Sequence, residues 1–405
     1  MSAELNAAAG PGTDSSRMPL QVWILTLSAF AIGTAEFVIA GLLTQLSGTL
    51  HVSEGRVGYL ITAYALAIVV GGPPLTILLA RYNEKRVLIG LLCLFVAGNL
   101  VAAMTTNFNL LLAARVLAGL CQGPFYGIGS VVAARLVSKR MAGRAVGQMF
   151  AGLTLANVLG VPAGAWIGTQ FSWSTTFMLV AVLGVLAMAA IQLWLPSLEG
   201  ARGERSVASQ LAVFSNPQLL ASLAFTMLAW TGFMTFYGYI AAVAEHVAGF
   251  STQGLTLLLV IVGAGLVLGN SIGGRAADHN LRATLILGPL AMILTLLLVG
   301  AVADHKWWFA LAAFLFGIAS FANVAPMQMR VMKYGGAAPE LASTANISAF
   351  NVANSLGGII GGIVIDQPTL GAAWIPYAAV GVPLLGLLLI GLLERKAPTT
   401  AASSQ

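Results

Sequence analysis

Runs of about 20 mostly apolar residues recur along the whole chain, and this repetition constrains the fold more than any other feature. A helix of about 20 apolar residues is long enough to cross a bilayer. Spanning backbone must satisfy its hydrogen bonds within helices or a closed barrel, and the runs lack the strict alternation of barrel strands. We therefore predict an all-α membrane protein with twelve transmembrane helices, placed at 20–45, 57–80, 87–105, 109–134, 144–168, 174–195, 217–242, 253–274, 282–302, 307–331, 342–365 and 372–393.

The composition excludes a soluble protein. Only 8% of the 405 residues are charged and 58% are hydrophobic, whereas soluble domains carry about 25% charged residues. In a soluble protein the net charge of +6 would suggest a nucleic acid partner, but here the basic residues stand in short connections between apolar runs. We therefore expect a lipid bilayer around the chain and no nucleic acid partner.

The basic residues are divided unequally between the two membrane faces. Of the 19 Lys and Arg residues, Arg56 and Lys306 fall at one face and Arg115 lies inside the fourth run, while all others fall at the opposite face. Cytoplasmic loops carry the excess of Lys and Arg, so we predict that both termini are cytoplasmic. The residues assigned to that face are Arg17, Arg81, Lys85, Arg86, Arg135, Lys139, Arg140, Arg144, Arg202, Arg205, Arg275, Arg282, Arg330, Lys333, Arg395 and Lys396.

The longest connection divides the twelve runs into two sets of six. We predict a cytoplasmic tail over 1–18, a first six-helix bundle over 19–195, a cytoplasmic linker over 196–216, a second bundle over 217–393 and a tail over 394–405. The sequence around Asn157 recurs around Asn354, at an offset of 197 residues. Two similar six-helix halves are related by an axis along the membrane normal, so we expect a central cavity at their interface.

Glu36 lies inside the first apolar run, in the stretch 33–41, which reads Gly-Thr-Ala-Glu-Phe-Val-Ile-Ala-Gly. Acidic residues within membrane helices are rare and usually functional. Desolvation favours the protonated form of a carboxyl group, so an acid that is neutral when dry and charged when wet can carry a proton. We interpret Glu36 as a proton-coupling residue; the alternative is a buried Glu held by hydrogen bonds for packing alone.

Arg115 shares one helix face with Gly119 and Gly123 in the fourth run. Its side chain must face the protein interior or extend to the nearby membrane surface. Because a nearby cation favours a charged carboxylate, one hypothesis is that Arg115 biases the protonation of Glu36. The alternative is extension to the surface without any coupling.

These motifs together resemble the major facilitator superfamily, within its twelve-helix drug:proton antiporter branch. The stretch in the first helix is most similar to that of bacterial sugar-efflux and chloramphenicol-resistance exporters, through Gly33, Thr34, Glu36, Phe37, Gly41, Leu42 and Leu43. Arg115 matches the family's arginine motif in helix four, which is linked to proton transfer. The resemblance implies the major facilitator fold and a bacterial plasma membrane protein that mostly works as a monomer.

The resemblance also implies a conformational latch after the second helix. Arg81, Lys85 and Arg86 match the family's basic loop motif, although Ala80 stands where the family usually has an acid. The copy of this motif in the second half includes Arg275 and Asp278, and it keeps its acid. The alternative for these residues is ordinary anchoring of the cytoplasmic face.

The fifth run resembles the family's antiporter motif, which marks exporters. It contains Gly152, Gly160, Pro162 and Gly164. We expect a bent ridge with few side chains that packs closely where the two halves meet, so that it seals one side. Generic packing of small residues explains the same pattern.

Candidate substrate-cavity residues are the polar and aromatic residues near the middle of cavity-type helices. Ligand pockets are mostly apolar, with a few oriented polar groups. Amides inside membrane helices also join helices by hydrogen bonds, and this alternative stays open. The candidates are Tyr64, Tyr126, Asn157, Phe233 and Tyr237.

The sequence contains no catalytic constellation, no phosphate-binding GxxxxGK[ST] motif and no metal-spaced Cys/His set, so we expect neither an enzyme nor an ATP-driven pump. We expect no cofactor, so the energy must come from an ion gradient. The single acid inside a membrane helix, Glu36, points to protons. We predict a proton-coupled exporter of small neutral or weakly charged solutes, such as chloramphenicol or arabinose. The alternatives are export of nucleobases, nucleosides or other metabolites, proton symport, and a membrane sensor that does not transport.

Overall fold

The computed structural model describes residues 18–79, 82–138, 141–197, 212–335 and 339–396. The first half forms α1 (Leu20–Phe37), α2 (Ile39–Leu50), α3 (Glu54–Leu79), α4 (Glu84–Met104), α5 (Phe108–Arg135), α6 (Ala142–Leu155), α7 (Val161–Gln170) and α8 (Trp173–Trp194), with a π-helical turn over Ala156–Gly160. The second half forms α9 (Pro217–Tyr237), α10 (Ile240–His246), α11 (Thr252–Ala301), α12 (Lys306–Phe321), α13 (Val324–Tyr334), α14 (Pro339–Asp366) and α15 (Ile375–Lys396). Short 3₁₀ turns cover Ala212–Ser215 and Ala372–Trp374.

The described helices account for the twelve predicted crossings. Eleven helical segments of the described chain are long and apolar enough to span a membrane, and one of them, α11, has 50 residues. At 1.5 Å per residue a straight helix of that length would measure about 75 Å, more than twice the bilayer core. The backbone kinks at Asn280 (φ −152°, ψ 87°), so α11 makes the two crossings that the sequence predicts over 253–274 and 282–302.

Several crossings are bent near their middle. The first crossing changes direction at Val38 between α1 and α2, and the crossing built from α9 and α10 does so at Gly238. In α1 the Thr34 hydroxyl donates to the Phe30 carbonyl at 2.7 Å, a back-bonding contact that often bends helices. The bend places Glu36 in the last turn of α1, close to the carbonyl end of that helix.

Large apolar side chains are exposed on the outer surfaces of the helices. Soluble proteins rarely expose so many, whereas helices in a bilayer present such side chains to lipid. Those more than half exposed include Val70, Leu193, Ile272, Leu294, Trp307, Trp308, Leu385 and Leu388.

The two halves share one apolar core. The largest cluster of buried apolar residues contains Phe37 and Leu42 from the first half together with Phe233 and Tyr239 from the second. A second cluster lies within the first half and includes Phe95 and Phe125. The halves are therefore pressed together in this conformation.

Polar contacts join the halves at one end of the helices. We call the side of the bundle with Trp194 and Pro217 the linker face, and the side with Leu50 and Glu54 the far face. At the far face the Asp366 carboxylate at the end of α14 accepts hydrogen bonds from Ser53 Oγ at 2.7 Å and from Gly55 N at 3.1 Å. Asp366 thus caps the N-terminus of α3 from the opposite half.

A second pair reinforces this closure. Glu54 Oε1 and His246 Nε2, which belong to different halves, lie 2.7 Å apart. About two turns further along α3 from Glu54, the Thr62 hydroxyl donates to the Ser355 carbonyl at 3.3 Å. Helices α3 and α14 therefore pack along each other from the far face toward the middle of the bundle.

Candidate functional site

Glu36 lies in the last turn of α1 and is only 7% exposed. Both oxygens of its carboxyl group accept hydrogen bonds from amide groups. Gln122 Nε2 of α5 donates to Oε2 at 2.7 Å, and Asn354 Nδ2 of α14 donates to Oε1 at 3.2 Å. Since α14 belongs to the second half, the bond from Asn354 connects the two halves at Glu36.

Each amide is oriented by a further partner. The Tyr64 hydroxyl donates to Gln122 Oε1 at 2.8 Å, and Trp230 Nε1 donates to Asn354 Oδ1 at 3.0 Å. An indole N–H is a donor only, so the Asn354 oxygen must face Trp230 and its NH₂ group must face Glu36. The five side chains Tyr64, Gln122, Glu36, Asn354 and Trp230 form one hydrogen-bonded chain across the interface of the halves.

This chain suits a charged carboxylate. A carboxylate only accepts hydrogen bonds, whereas a protonated carboxyl group carries one O–H donor. Two donating NH₂ groups satisfy the charged form, and a proton on either oxygen would face a donor instead of an acceptor. Protonation of Glu36 would therefore weaken one of the two bonds, and the longer bond is the one to Asn354.

Arg115 is buried beside Glu36, with 1% of its surface exposed, so it does not extend to the membrane surface. Its guanidinium donates to the Ala35 carbonyl at 2.6 Å, the Glu36 carbonyl at 3.3 Å and the Leu60 carbonyl at 3.4 Å. It also stacks over the Tyr64 ring, 4.1 Å from the centroid.

The hydrogen bonds of the Arg115 guanidinium go to backbone carbonyls and not to the Glu36 carboxylate. Among the ion pairs of the described residues, none joins these two side chains within 4.0 Å. The bend after Glu36 leaves carbonyls at the negative end of α1, and basic side chains bind favourably there. Arg115 therefore holds the end of the helix that carries Glu36, and the idea that it biases Glu36 protonation remains a hypothesis.

An aromatic cluster lies next to the site. Phe233 stacks on Tyr237 with a centroid distance of 4.9 Å and meets Trp230 in a tilted arrangement at 4.5 Å. Tyr237 meets Phe37 of the first half edge to face at 6.4 Å. These buried rings separate Glu36 from the far face, because Phe37 follows Glu36 directly on the way toward that face.

The other two cavity candidates are buried on the first half. Tyr126 Oη donates to the Ala29 carbonyl at 3.2 Å, and its ring stacks on Phe150 at 5.4 Å. Asn157 Nδ2 donates to the Leu153 carbonyl at 3.2 Å, but Asn157 Oδ1 is buried without a hydrogen-bond partner among the described residues. This oxygen is an open acceptor at the level where the halves meet.

The described residues of the predicted latch form no ion pair with one another in this conformation. Arg81 lies outside the described residues, Lys85 Nζ donates to the Gln192 carbonyl at 2.8 Å, and Arg86 is exposed. In the second half Arg275 and Asp278 are exposed, and Asp278 makes no ion pair with another described residue. The latch remains a prediction for another conformation.

Ion pairs on the linker face join other residues. Arg135 pairs with Glu84 at 2.6 Å in the first half. In the second half Glu394 pairs with the buried Arg330, and Arg282 lies 3.7 Å from the same carboxylate. These acids were not singled out from the sequence, because each stands at a helix end, where charge is ordinary.

The glycine ridge of the fifth crossing contacts a different partner from the one predicted. Side chains at Gly152, Gly160 and Gly164 would collide with Thr26, Thr34 and Val38 of the first crossing, which belongs to the same half. The contact with the second half comes from the backbone at Val158, against Gly263 of α11. The fifth crossing thus packs closely and reaches the interface of the halves at Val158, whereas its glycines face the first crossing of the same half.

The ridge is bent where it meets the second half. The π-helical turn over Ala156–Gly160 directly precedes Pro162, which has no N–H to continue the α-helical ladder. The turn presents Val158 to Gly263 while the glycines keep facing the first crossing. One crossing thereby contacts both neighbours at close range.

Gln122, Asn354 and Trp230 were not assigned to the site from the sequence. Asn354 had one signal, since it repeats Asn157 at an offset of 197 residues. For Gln122, the spacing from Arg115 gave a signal, because an offset of seven positions is about two helical turns and puts both on one face of α5.

Comparisons with known proteins agree with this architecture. The sequence profile described as Major Facilitator Superfamily matches residues 25–362. The chain is 39% identical to "Inner membrane transport protein YdhP" of Escherichia coli strain K12 over 376 residues, which cover 93% of this chain and 96% of that protein.

Two other relatives have names that mention a solute. The chain is 30% identical over 379 residues to "Probable sugar efflux transporter" of Helicobacter pylori strain G27, with 93% of this chain and 96% of that protein covered. It is 31% identical over 396 residues to "Chloramphenicol resistance protein" of Streptomyces lividans, with 95% and 98% covered.

A solved structure shows the same fold. The "Crystal structure of D-xylose-proton symporter" superposes with a TM-score of 0.80 at 15% identity, covering 96% of this chain and 100% of that one. The membrane-spanning helices, the family profile and the relatives at 30% identity or more lead to one assignment. The chain belongs to the Major Facilitator Superfamily and is a multi-pass transporter of the inner membrane rather than an enzyme.

Proposed function

We propose that this transporter exports small neutral or weakly charged solutes in exchange for protons, with Glu36 as the proton carrier. The observation that carries the proposal is the hydrogen bond from Asn354 Nδ2 to Glu36 Oε1 at 3.2 Å. It ties the charge of Glu36 to a contact between the two halves. A proton on Glu36 then changes how firmly the halves hold each other at the middle of the bundle.

The size of this effect is sufficient to bias a conformational equilibrium. A hydrogen bond to a charged group contributes about 1.5–3 kcal/mol. Loss of one such bond on protonation shifts an equilibrium about tenfold or more, since each 1.4 kcal/mol is a factor of ten. The charged and protonated forms of Glu36 therefore favour different arrangements of the halves, as solute/proton exchange requires.

In the proposed cycle, Glu36 takes up a proton when water reaches it from the outer side and releases it when water reaches it from the cytoplasm. With both termini cytoplasmic, as the charge distribution predicts, the far face is the outer face. The solute enters from the cytoplasm while Glu36 is charged, and the halves then turn outward. The energy source is the proton gradient, and no cofactor takes part.

The aromatic and amide side chains near Glu36 favour neutral, amphiphilic solutes. Phe233, Tyr237 and Trp230 offer aromatic surface, and Asn157 Oδ1 offers a free acceptor for a hydroxyl or amide donor. Relatives named for sugar efflux and chloramphenicol resistance support the same class of hydroxylated solute. We therefore propose chloramphenicol-like drugs or small sugars, handled by a monomer in the bilayer.

The test is substrate-induced proton release in everted membrane vesicles. Respiration acidifies the vesicle lumen, and addition of chloramphenicol, arabinose or a thiogalactoside is followed with a fluorescent probe of the pH difference. We expect at least one solute to dissipate the gradient with the wild-type protein. Glu36→Gln should abolish that response, because Gln cannot exchange a proton at this position.

Asp304→Asn provides the matched control. Asp304 is an exposed acid at the far face, so its neutralisation should leave proton release unchanged. Full proton release by Glu36→Gln would contradict the proposal, as would the absence of a response to every solute. Proton movement in the same direction as the solute would instead identify a symporter.

A further inference from the structure

A cleft of about 740 Å³ opens at the far face between the two halves. Gln45, Thr49 and Thr169 line it from the first half, and Glu245, Thr252 and Gln253 line it from the second. Its volume is typical of sites that bind small molecules.

The cleft is separate from the site at Glu36. Gln45 stands nine residues beyond Glu36, which corresponds to about 13 Å along helical chain. None of the described residues that line the cleft belongs to the hydrogen-bonded chain at Glu36. A ligand in the cleft therefore does not touch Glu36.

Glu245 gives the cleft its charge. It is the one acidic or basic side chain among the described residues that line the cleft. Its Oε1 atom is buried and has no hydrogen-bond partner among the described residues. Of the neighbouring ionisable groups, His246 pairs with Glu54, and Lys306 Nζ lies over the ring of Phe250, which lines the cleft, at 4.8 Å from its centroid. Among the described residues neither group forms an ion pair with Glu245.

A buried carboxylate oxygen without a partner is costly, and a cation bound to it would remove that cost. An anion would be repelled by Glu245. On the opposite wall, Gln45 and Thr169 carry amide and hydroxyl oxygens, whose partial negative charge attracts a cation. Trp173 adds aromatic surface to this wall.

We propose that the cleft binds small organic monocations, of the ammonium type, on Glu245 from the far face. Because its walls come from both halves, a bound cation favours the conformation in which the far face is closed. Such a cation would slow opening toward that face without competing for Glu36. The site is thus distinct from the exchange of solute and proton proposed above.

The test measures binding of choline to the purified full-length protein in lipid nanodiscs by equilibrium binding of the radiolabelled cation. Its neutral isostere, 3,3-dimethylbutan-1-ol, serves as a competitor of the same shape without charge. We expect saturable choline binding that the neutral alcohol does not displace at equal concentration. Glu245→Gln should weaken choline binding about tenfold or more, the loss expected when a partly buried charge pair loses one partner.

Two further variants separate the possible outcomes. Glu245→Asp keeps the charge and should retain binding within a few-fold. Asp304→Asn removes an exposed acid of the far face outside the cleft and should bind choline as the wild type does. The proposal is overturned if choline does not bind, if Glu245→Gln binds equally well while remaining folded, or if the alcohol competes equally.

Discussion

At Glu36 two amide groups are oriented so that both present hydrogen-bond donors to the carboxyl group, which favours its charged form. Trp230 can only donate, so it holds the Asn354 oxygen and leaves the NH₂ group to face the carboxylate. Tyr64 holds the Gln122 oxygen in the same way. The site is therefore set by residues that do not themselves touch the proton.

Replacement of Trp230 by Phe tests this orientation. Phe keeps the ring contact with Phe233 but removes the N–H, so Asn354 is free to rotate. We expect proton-linked export in everted vesicles to fall several-fold, with little change in the temperature of thermal unfolding. The exposed Trp374→Phe is the control and should transport normally; unchanged coupling in Trp230→Phe would show that the indole N–H is not needed.

Sequence reasoning reached Glu36 but not its surroundings. The sequence of a single helix is enough to identify an acid inside an apolar run, and in the structure Glu36 is buried. The donors Gln122 and Asn354 come from two other helices, and no periodicity within a single helix gives the rotation of one helix against another. The partners of Arg115 were hidden for the same reason, because they are backbone carbonyls, which every residue has.

At the level of elements, the fifth crossing is packed against the first by its glycines. Gly152, Gly160 and Gly164 are spaced eight and four positions apart, so all three face the first crossing. The two backbones therefore lie close together. Small residues predicted this closeness from the sequence. They did not predict the partner, because a glycine face carries no side chain that identifies what it touches.

A methyl group at Gly160 tests the contact. Gly160→Ala would place it against the Thr34 side chain, and we expect a loss of about 1–3 kcal/mol of stability with a lower unfolding temperature in detergent. Gly147→Ala meets nothing within 4 Å and should be neutral or slightly stabilising. Partial rescue of Gly160→Ala by Thr34→Ala would identify the contact; equal unfolding temperatures for the two single variants would contradict it.

The whole molecule is closed at the far face. Asp366 caps α3 from the other half, and Glu54 pairs with His246 across the same interface. The twelve crossings were predictable from apolar run length, and α11 contains two of them, which meet at the kink at Asn280. The closure was not predictable, because the sequence does not show whether a charged residue at a helix end is solvated or pairs with a residue of the other half.

Removal of the Asp366 cap should open the far face. In a Cys93→Ser, Cys121→Ser background, Thr62→Cys reports access to the interface, because Thr62 is buried against Ser355. We expect Asp366→Ala to raise labelling by a membrane-impermeant maleimide about tenfold, which corresponds to about 1.4 kcal/mol of closure free energy. Asp304→Asn should leave the rate unchanged, and an unchanged rate in Asp366→Ala would show that the cap does not hold this face shut.

Asn354 and Asp366 lie on one unbroken helix, α14, twelve residues or about 18 Å apart. Between them Gly357, Gly358 and Gly361 press directly on Thr235, Thr62 and Tyr239. The helix can thus act as a stiff lever: a tilt that begins when the bond from Asn354 to Glu36 breaks would reach the rim of the far face as a displacement of Asp366. Loss of that bond and release of the rim would then be two ends of a single rigid-body movement, with no relay of side chains between them.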